Sequence, residues 1–207
     1  MAVKQRMAAP KREAPKQASS DKRETIIDAA FDLFRHYGYR RTSMEDIARA
    51  AGVAKGTLYL YFTSKEELFE AIARSLATHM LADITAAAER DLPLEELLFG
   101  VLDAKLGAVW RWIYSSPHAA ELLDPQHQLP DDVFAEVDEA FRSIMARLIQ
   151  KGVKSGELDL KAAGFTAESA SQTLVRAAYG AEKSPDEAEF RKMLANIVHL
   201  SLRGLRA

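Results

Sequence analysis

Lysine, glycine, threonine and two tyrosines crowd into the run from Lys55 to Tyr61, and each has a use on a nucleic-acid surface. Lys55 can donate to the acceptors on the major-groove edge of guanine. The Thr57 hydroxyl can meet a phosphate, or its methyl a thymine methyl, and Gly56 carries no side chain to hold the backbone away from a groove floor. The hydroxyls of Tyr59 and Tyr61 suit phosphate oxygens. Lys65 stands in the first turn of a helix opened by Ser64 and Glu67, where the helix terminus and the cation together favour an anion. The competing reading is an ordinary three-helix core with two half-buried tyrosines, which gives no reason for Lys55 or Gly56.

Reading a groove requires a rigid support. Ser43, followed three residues later by Asp46, suits a helix N-cap, so a helix is expected from about Met44. Met44, Ile47, Ala48 and Ala51 recur on one face, and Gly52 can take the positive φ that stops a helix. A second helix is expected from about Ala54 to Tyr61, burying Leu58 and Phe62. Helix, glycine turn, helix is the helix-turn-helix pattern, whose second helix enters the major groove. Ahead of it, Ile26, Ile27, Ala30, Phe31 and Phe34 form the apolar stripe of a helix from Asp21 to near Gly38. His36, in that helix's last turn, is read as favourable with the helix dipole. Behind it, Leu68, Phe69, Ile72, Leu76 and Met80 mark a long helix from Ser64 to about Arg90. Neither glycine nor proline interrupts that helix, which makes it a candidate lever between one end of the molecule and the other.

The run GVAKGTLYLYFTSKEELF, the preceding TSMEDIARAA and the helix end FRHYGYRRT resemble the DNA-binding domain of the TetR family of transcriptional regulators, over residues 22–72. The resemblance implies a homodimeric, all-helical regulator that leaves a palindromic operator when a small molecule fills its C-terminal domain. It implies phosphate contacts from Thr42, Tyr59, Tyr61 and Lys65, and groove contacts from Lys55, Gly56, Thr57 and Leu60. Leu60 stands where an aromatic or a histidine is common in the family. For the rest of the chain the resemblance implies an architecture but no particular ligand.

Composition agrees with an all-α protein in two parts. The chain has 207 residues, 48% of them hydrophobic, and shows no run of alternating β-branched residues. Residues 1–20 hold little to bury and are expected to be a disordered basic arm; residues 21–67 form the helix-turn-helix domain and residues 68–207 a ligand-binding and dimerisation domain. The arm is read equally as a DNA-tracking extension or a plain leader. Up to Lys65 the chain carries 13 Lys and Arg against 7 Asp and Glu, whereas the remainder carries 15 against 23, so the polyanion-facing end is the N-terminal one. With no cysteine, disulfides and thiolate chemistry are excluded. The absence of an apolar stretch near membrane-spanning length, or of a signal-peptide core, leads to the expectation of a cytoplasmic protein.

The C-terminal part divides at prolines and glycines into helical segments 93–115, 117–123, 130–152, 165–180 and 185–205. Phe99, Trp110, Tyr114, His118, Phe141 and Met145 are candidate lining for a small-molecule pocket, although each aromatic taken singly reads as core. His118 and His127 could hold a cation with Glu121 and Asp124, but their spacing matches no metal motif, and no metal site or cofactor is expected. Phosphate-binding glycine loops and nucleophile elbows are lacking, so no enzyme is expected. Ala170, Leu174, Ala177 and Ala178, with the wide apolar face from Phe190 to Leu205, suggest two helices that meet their symmetry mates in a dimer. The expected function is a ligand-responsive repressor binding a palindromic operator as a homodimer. Two alternatives stay open: an architectural or partner-controlled DNA-binding protein without a ligand, and a helical enzyme or metal-binding protein.

Overall fold

A computed structural model describes residues 14–124 and 129–206, with side chains from residue 21. Among the described residues there are nine α-helices and only an isolated bridge, Leu158 to Arg206, of β type. Helix α1 spans Ala14–Tyr37, α2 Met44–Ala50, α3 Lys55–Tyr61 and α4 Lys65–Ala88. Helix α5 spans Leu94–Leu102, α6 Ala119–Leu122, α7 Ala135–Lys154, α8 Ala167–Ala178 and α9 Glu187–Arg203.

Two differences from the sequence reading have local causes. Helix α1 starts at Ala14, so residues 14–20 are helical instead of disordered. Pro15 falls in the first turn, where its missing N–H costs nothing, and alanine, lysine and glutamine beside it are good helix formers. The rest of the expected arm lies outside the described residues. The segment expected as one helix over 93–115 continues α5 through two π-helical turns, Asp103–Gly107 and Trp110–Tyr114.

Side chains sort into two hydrophobic clusters. One joins Ile26, Ala30, Phe34, Ile47, Leu58, Phe62 and Leu68 and makes a head from α1, α2, α3 and the first turns of α4. The other runs from Ala73 through Leu98, Phe141, Leu174 and Phe190 to Leu205 and makes a body. The clusters part between Ile72 and Ala73, inside α4, a few residues beyond the 67/68 boundary expected from the sequence. At 24 residues α4 is about 36 Å long and supplies buried side chains to both. Ser64 caps it by accepting from Glu67 N at 3.1 Å, and Glu67 in return accepts from the Thr63 N–H and hydroxyl, each at 2.7 Å.

Candidate nucleic-acid interface

Local chemistry builds the reading unit. Ser43 and Asp46 form a reciprocal capping box at α2. Hydrogen bonds from the Ser43 hydroxyl, and then from its backbone N–H, hold the Asp46 carboxyl below the usual carboxylate range. Gly52 has φ +66, which lets the chain reverse after α2, and Val53 N closes the turn on Ala48 O at 2.9 Å. Leu58 and Phe62 are buried on the inner face of α3 and fix its roll.

With that roll set, the outer face of α3 follows from its 100° per residue. Leu60 is 85% exposed and Tyr59 43%, so both project from the head, with Lys55 at the start of the helix. Lys55 Nζ lies 3.4 Å from Glu45 Oε2, with both side chains more than half exposed. Such a surface pair contributes little and exchanges easily for another anion. A Cβ on Gly56 would meet nothing in the protein within 4 Å, and its φ is not positive. Glycine inside a helix costs about 1 kcal/mol relative to alanine. Nothing among the described residues within 4 Å of that Cβ position demands a glycine there. Thr57 is partly buried on the same helix, and Tyr61 packs against the head cluster.

Two residues expected at phosphates are turned inward. Thr42 is only 4% exposed, and its hydroxyl donates to Gly38 O at 2.8 Å. Lys65 Nζ donates to Tyr39 O at 2.8 Å and Thr42 O at 3.1 Å, and sits 4.3 Å from the centroid of the Tyr39 ring. Tyr39 in turn donates to Glu66 Oε1 at 3.1 Å; burial first, and then this carboxylate, push the phenol far above its ordinary pKa and keep it a donor. Lys65 therefore staples the loop between α1 and α2 to the start of α4. Lys65→Met keeps the length but leaves two carbonyls without their donor, and should cost about 1–3 kcal/mol of head stability. In a salt titration of operator binding, the staple role predicts weaker binding with the slope of log K against log salt unchanged. A slope shallower by about 0.9 for each bound chain would instead mean that this ammonium meets a phosphate.

Head and body also touch away from α4. Ser116 Oγ donates to Arg35 O at 2.7 Å, and Arg35 Nη2 donates to Arg111 O at 2.9 Å. Arg40 donates from its backbone N to Glu121 Oε2 and from its guanidinium to Asp124 Oδ2, each at 3.0 Å. Gly38, at φ +87, brings the loop so close to α6 that a Cβ there would lie 2.9 Å from Glu121 Oε2 and 3.0 Å from His118 Nδ1. Sequence reading missed Arg35, Arg40 and Ser116 as linking residues, because partners 76 to 84 positions away leave no local signal.

The six residues proposed for a pocket are not brought together. Phe141 and Met145 floor a groove of about 710 Å³ between α7 and α8. Trp110 instead stacks on Phe190, with centroids 5.9 Å apart and planes at 28°. Phe99 lies under the Arg191 guanidinium at 5.3 Å, and Tyr114 donates to Glu182 at 3.2 Å. His118 lines a different cleft, at the head. The possible metal partner His127 lies outside the described residues, Asp124 is paired with Arg40, and Glu121 accepts from the Arg40 backbone. No helix among the described residues is long and apolar enough to cross a membrane.

Comparison with known proteins adds an independent line. Residues 26–72 match the family model described as bacterial regulatory proteins, tetR family. The uncharacterised HTH-type transcriptional regulator YhgD of Bacillus subtilis is 30% identical over 145 residues, covering 68% of this chain and 73% of YhgD. The HTH-type transcriptional regulator RutR of Escherichia coli is 41% identical over 78 residues, but this spans only 38% of the chain and 37% of RutR. Among solved structures, a transcriptional regulator of the TetR/AcrR family from Thermobifida fusca superposes with a TM-score of 0.67 at 28% identity, over 90% of this chain and 100% of that one. A transcriptional regulator from Cytophaga hutchinsonii superposes with a TM-score of 0.68 at 23% identity, over 89% and 98% of the two chains, and supports the fold.

Proposed function

The chain belongs to the TetR family of bacterial regulatory proteins and is a helix-turn-helix transcriptional regulator, and from that premise we propose a repressor that reads a palindromic operator as a homodimer and leaves it when a small molecule binds the body. The observation that carries the reading is the outer face of α3. Lys55, Tyr59 and Leu60 project from a helix locked by Leu58 and Phe62, and Gly56 has no internal reason to be glycine. In this reading Lys55, Gly56, Thr57 and Leu60 face base edges, while Tyr59 and Tyr61 face phosphates. Thr42 and Lys65 act through the loop they hold. Dimerisation uses α8 and α9, so that two α3 helices meet successive major-groove faces about 34 Å apart or a multiple of it.

For the ligand, the groove floored by Phe141 and Met145 is the supported part of the expected pocket, with a volume in the range that holds small molecules. A ligand there lowers operator affinity only by binding the non-reading arrangement of the two heads more tightly than the reading one. A second reading, a head controlled by a protein partner and not by a ligand, draws on the Trp110 and Phe190 rings stacked where a lined pocket was expected.

Selection of bound sites from random duplex DNA at moderate and high salt tests the proposal, and an inverted repeat is the expected product. On that site Lys55→Ala should cost about 1–3 kcal/mol and relax the choice at particular base pairs, with random DNA bound nearly as before. Equal loss on operator and random duplex would remove Lys55 from base reading. Enrichment of no sequence at all, with binding that vanishes in salt, would replace the repressor by a non-specific DNA-binding protein.

A further inference from the structure

A second cavity, of about 540 Å³, lies where α1 and α2 of the head meet the start of α6 of the body, well away from the groove between α7 and α8. Its walls are unbalanced in charge. His36 and His118 line it, and His118 Nδ1 lies 3.9 Å from Glu121 Oε1, while Arg41 and Arg49 face it against a single lining carboxylate, Asp46. That carboxylate is already answered, since it accepts from the Ser43 N–H at 3.2 Å and hydroxyl at 2.5 Å and pairs with Arg49 at 3.4 Å. Arg41 is exposed and has no hydrogen bond or ion pair among the described residues. His36 Nδ1 bonds Asp32 O at 2.7 Å; because a carbonyl can only accept, Nδ1 carries the hydrogen, and the neutral ring lines the cleft with Nε2 as an acceptor, leaving an anion to Arg41. Leu33, Ala50 and the ring of Tyr37 supply the apolar remainder of the wall.

We propose that this cleft binds a small organic anion, a carboxylate or phosphate monoester on a flat apolar body, with the Arg41 guanidinium on the charge and Leu33 and Tyr37 along the body. A planar guanidinium matches either acid in a two-point contact. On α2, Asp46 and Ala50 are turned about 100° or more from Glu45, the residue that faces Lys55, so the cleft opens to one side of the reading face. Its occupant touches the head through Arg41 and the body through His118. Neutralising Arg41 beside a polyanion removes attraction to the DNA backbone, so the bound anion lowers operator affinity. By reciprocity, operator lowers affinity for the anion by the same factor. This consequence rests on the DNA-binding reading, whereas occupancy of the cleft does not.

The test uses the full chain, first without DNA, titrated by calorimetry with phenyl phosphate and benzoate, with inorganic phosphate and benzyl alcohol as probes lacking the body or the charge. Saturable binding of at least one aromatic anion, one per chain, is expected. It should weaken at least tenfold in Arg41→Gln and again in Ala50→Glu, which places an acid in the cleft from an exposed position. Benzyl alcohol should not bind, and inorganic phosphate should bind at least tenfold more weakly than phenyl phosphate. Binding indifferent to both variants, or equal for the two phosphates, would overturn the proposal. So would failure of both anions to bind; if Arg41→Gln then weakens every duplex alike, the cleft is a docking point for the DNA backbone. A second titration with operator present then reads the coupling.

Discussion

Leu200→Asp is expected to leave a folded monomer whose operator affinity is about 10²–10⁴ lower than that of the parent. Leu200 is 70% exposed on α9; half-buried Ile197 one turn back, at the edge of the body cluster, and exposed Met193 two turns back lie along the same row. The neighbouring face of α9, about 110° round the helix, is spent inside the chain, where Phe190, Leu194, Val198 and Leu202 are buried against the body cluster. A carboxylate at position 200 therefore removes little internal contact, and the fold should survive with little change in stability. In the proposed dimer it removes a dry surface for a second copy, because two such acids facing each other across a two-fold axis would be desolvated and alike in sign. With one head per particle, the second half-site is no longer reached at high effective concentration, and that is the origin of the loss. Light scattering should show one chain per particle, and half-site binding should be retained. A dimer that persists in the variant would move the interface away from α9.

Why the sequence left this face unresolved is a matter of periodicity. Phe190, Met193, Leu194, Ile197, Val198, Leu200 and Leu202 are apolar over an arc of about 200° at 100° per residue, which signals two packed faces without saying which is internal. Only the placement of α5 and α8 against α9 divides them. On α8 the same division buries Ala170, Leu174 and Ala178 inside the body, while Ala177 and Tyr179 remain outside.

The reading unit was legible because its determinants are local. Ser43 with Asp46, Gly52, and the spacing from Leu58 to Phe62 each act within a few residues, so the turn and both helices follow from short-range chemistry. Lys65 and Thr42 were not legible in the same way. Their side chains close on the loop at Gly38 and Tyr39, more than twenty residues before Lys65, and a cation at a helix start looks alike whether it meets a phosphate or a carbonyl. The aromatics of the segment from Phe99 to Tyr114 failed to assemble a pocket for a related reason. Two π-helical turns shift the register after Leu102, so neighbours expected from a 3.6-residue period no longer share a face.

The division into head and body makes a second large effect testable. Phe34 is fully buried in the head, its ring centroid 5.0 Å from that of Tyr39 and 6.2 Å from that of Phe69. Truncation to alanine removes the transfer energy of the ring and leaves a cavity, at a cost of about 3–5 kcal/mol. A unit of about 50 residues holds only about 3–8 kcal/mol in total by typical values per residue, so Phe34→Ala should leave the head largely open at ambient temperature. The body cluster contains no side chain before Ala73 and keeps its contacts, so the α8 and α9 faces should still pair. The expected result is a dimer that has lost part of its helical ellipticity and all operator binding, with a remaining thermal transition from the body. Phe34→Leu refills much of the volume and should restore binding at a cost of about 1 kcal/mol. A single transition in which dimer and helix content vanish together would show that the α4 helix and the links through Arg35, Arg40 and Ser116 fuse head and body into one cooperative unit. The head could then be moved by a ligand only as a rigid extension of the body, because no local opening would be available to it.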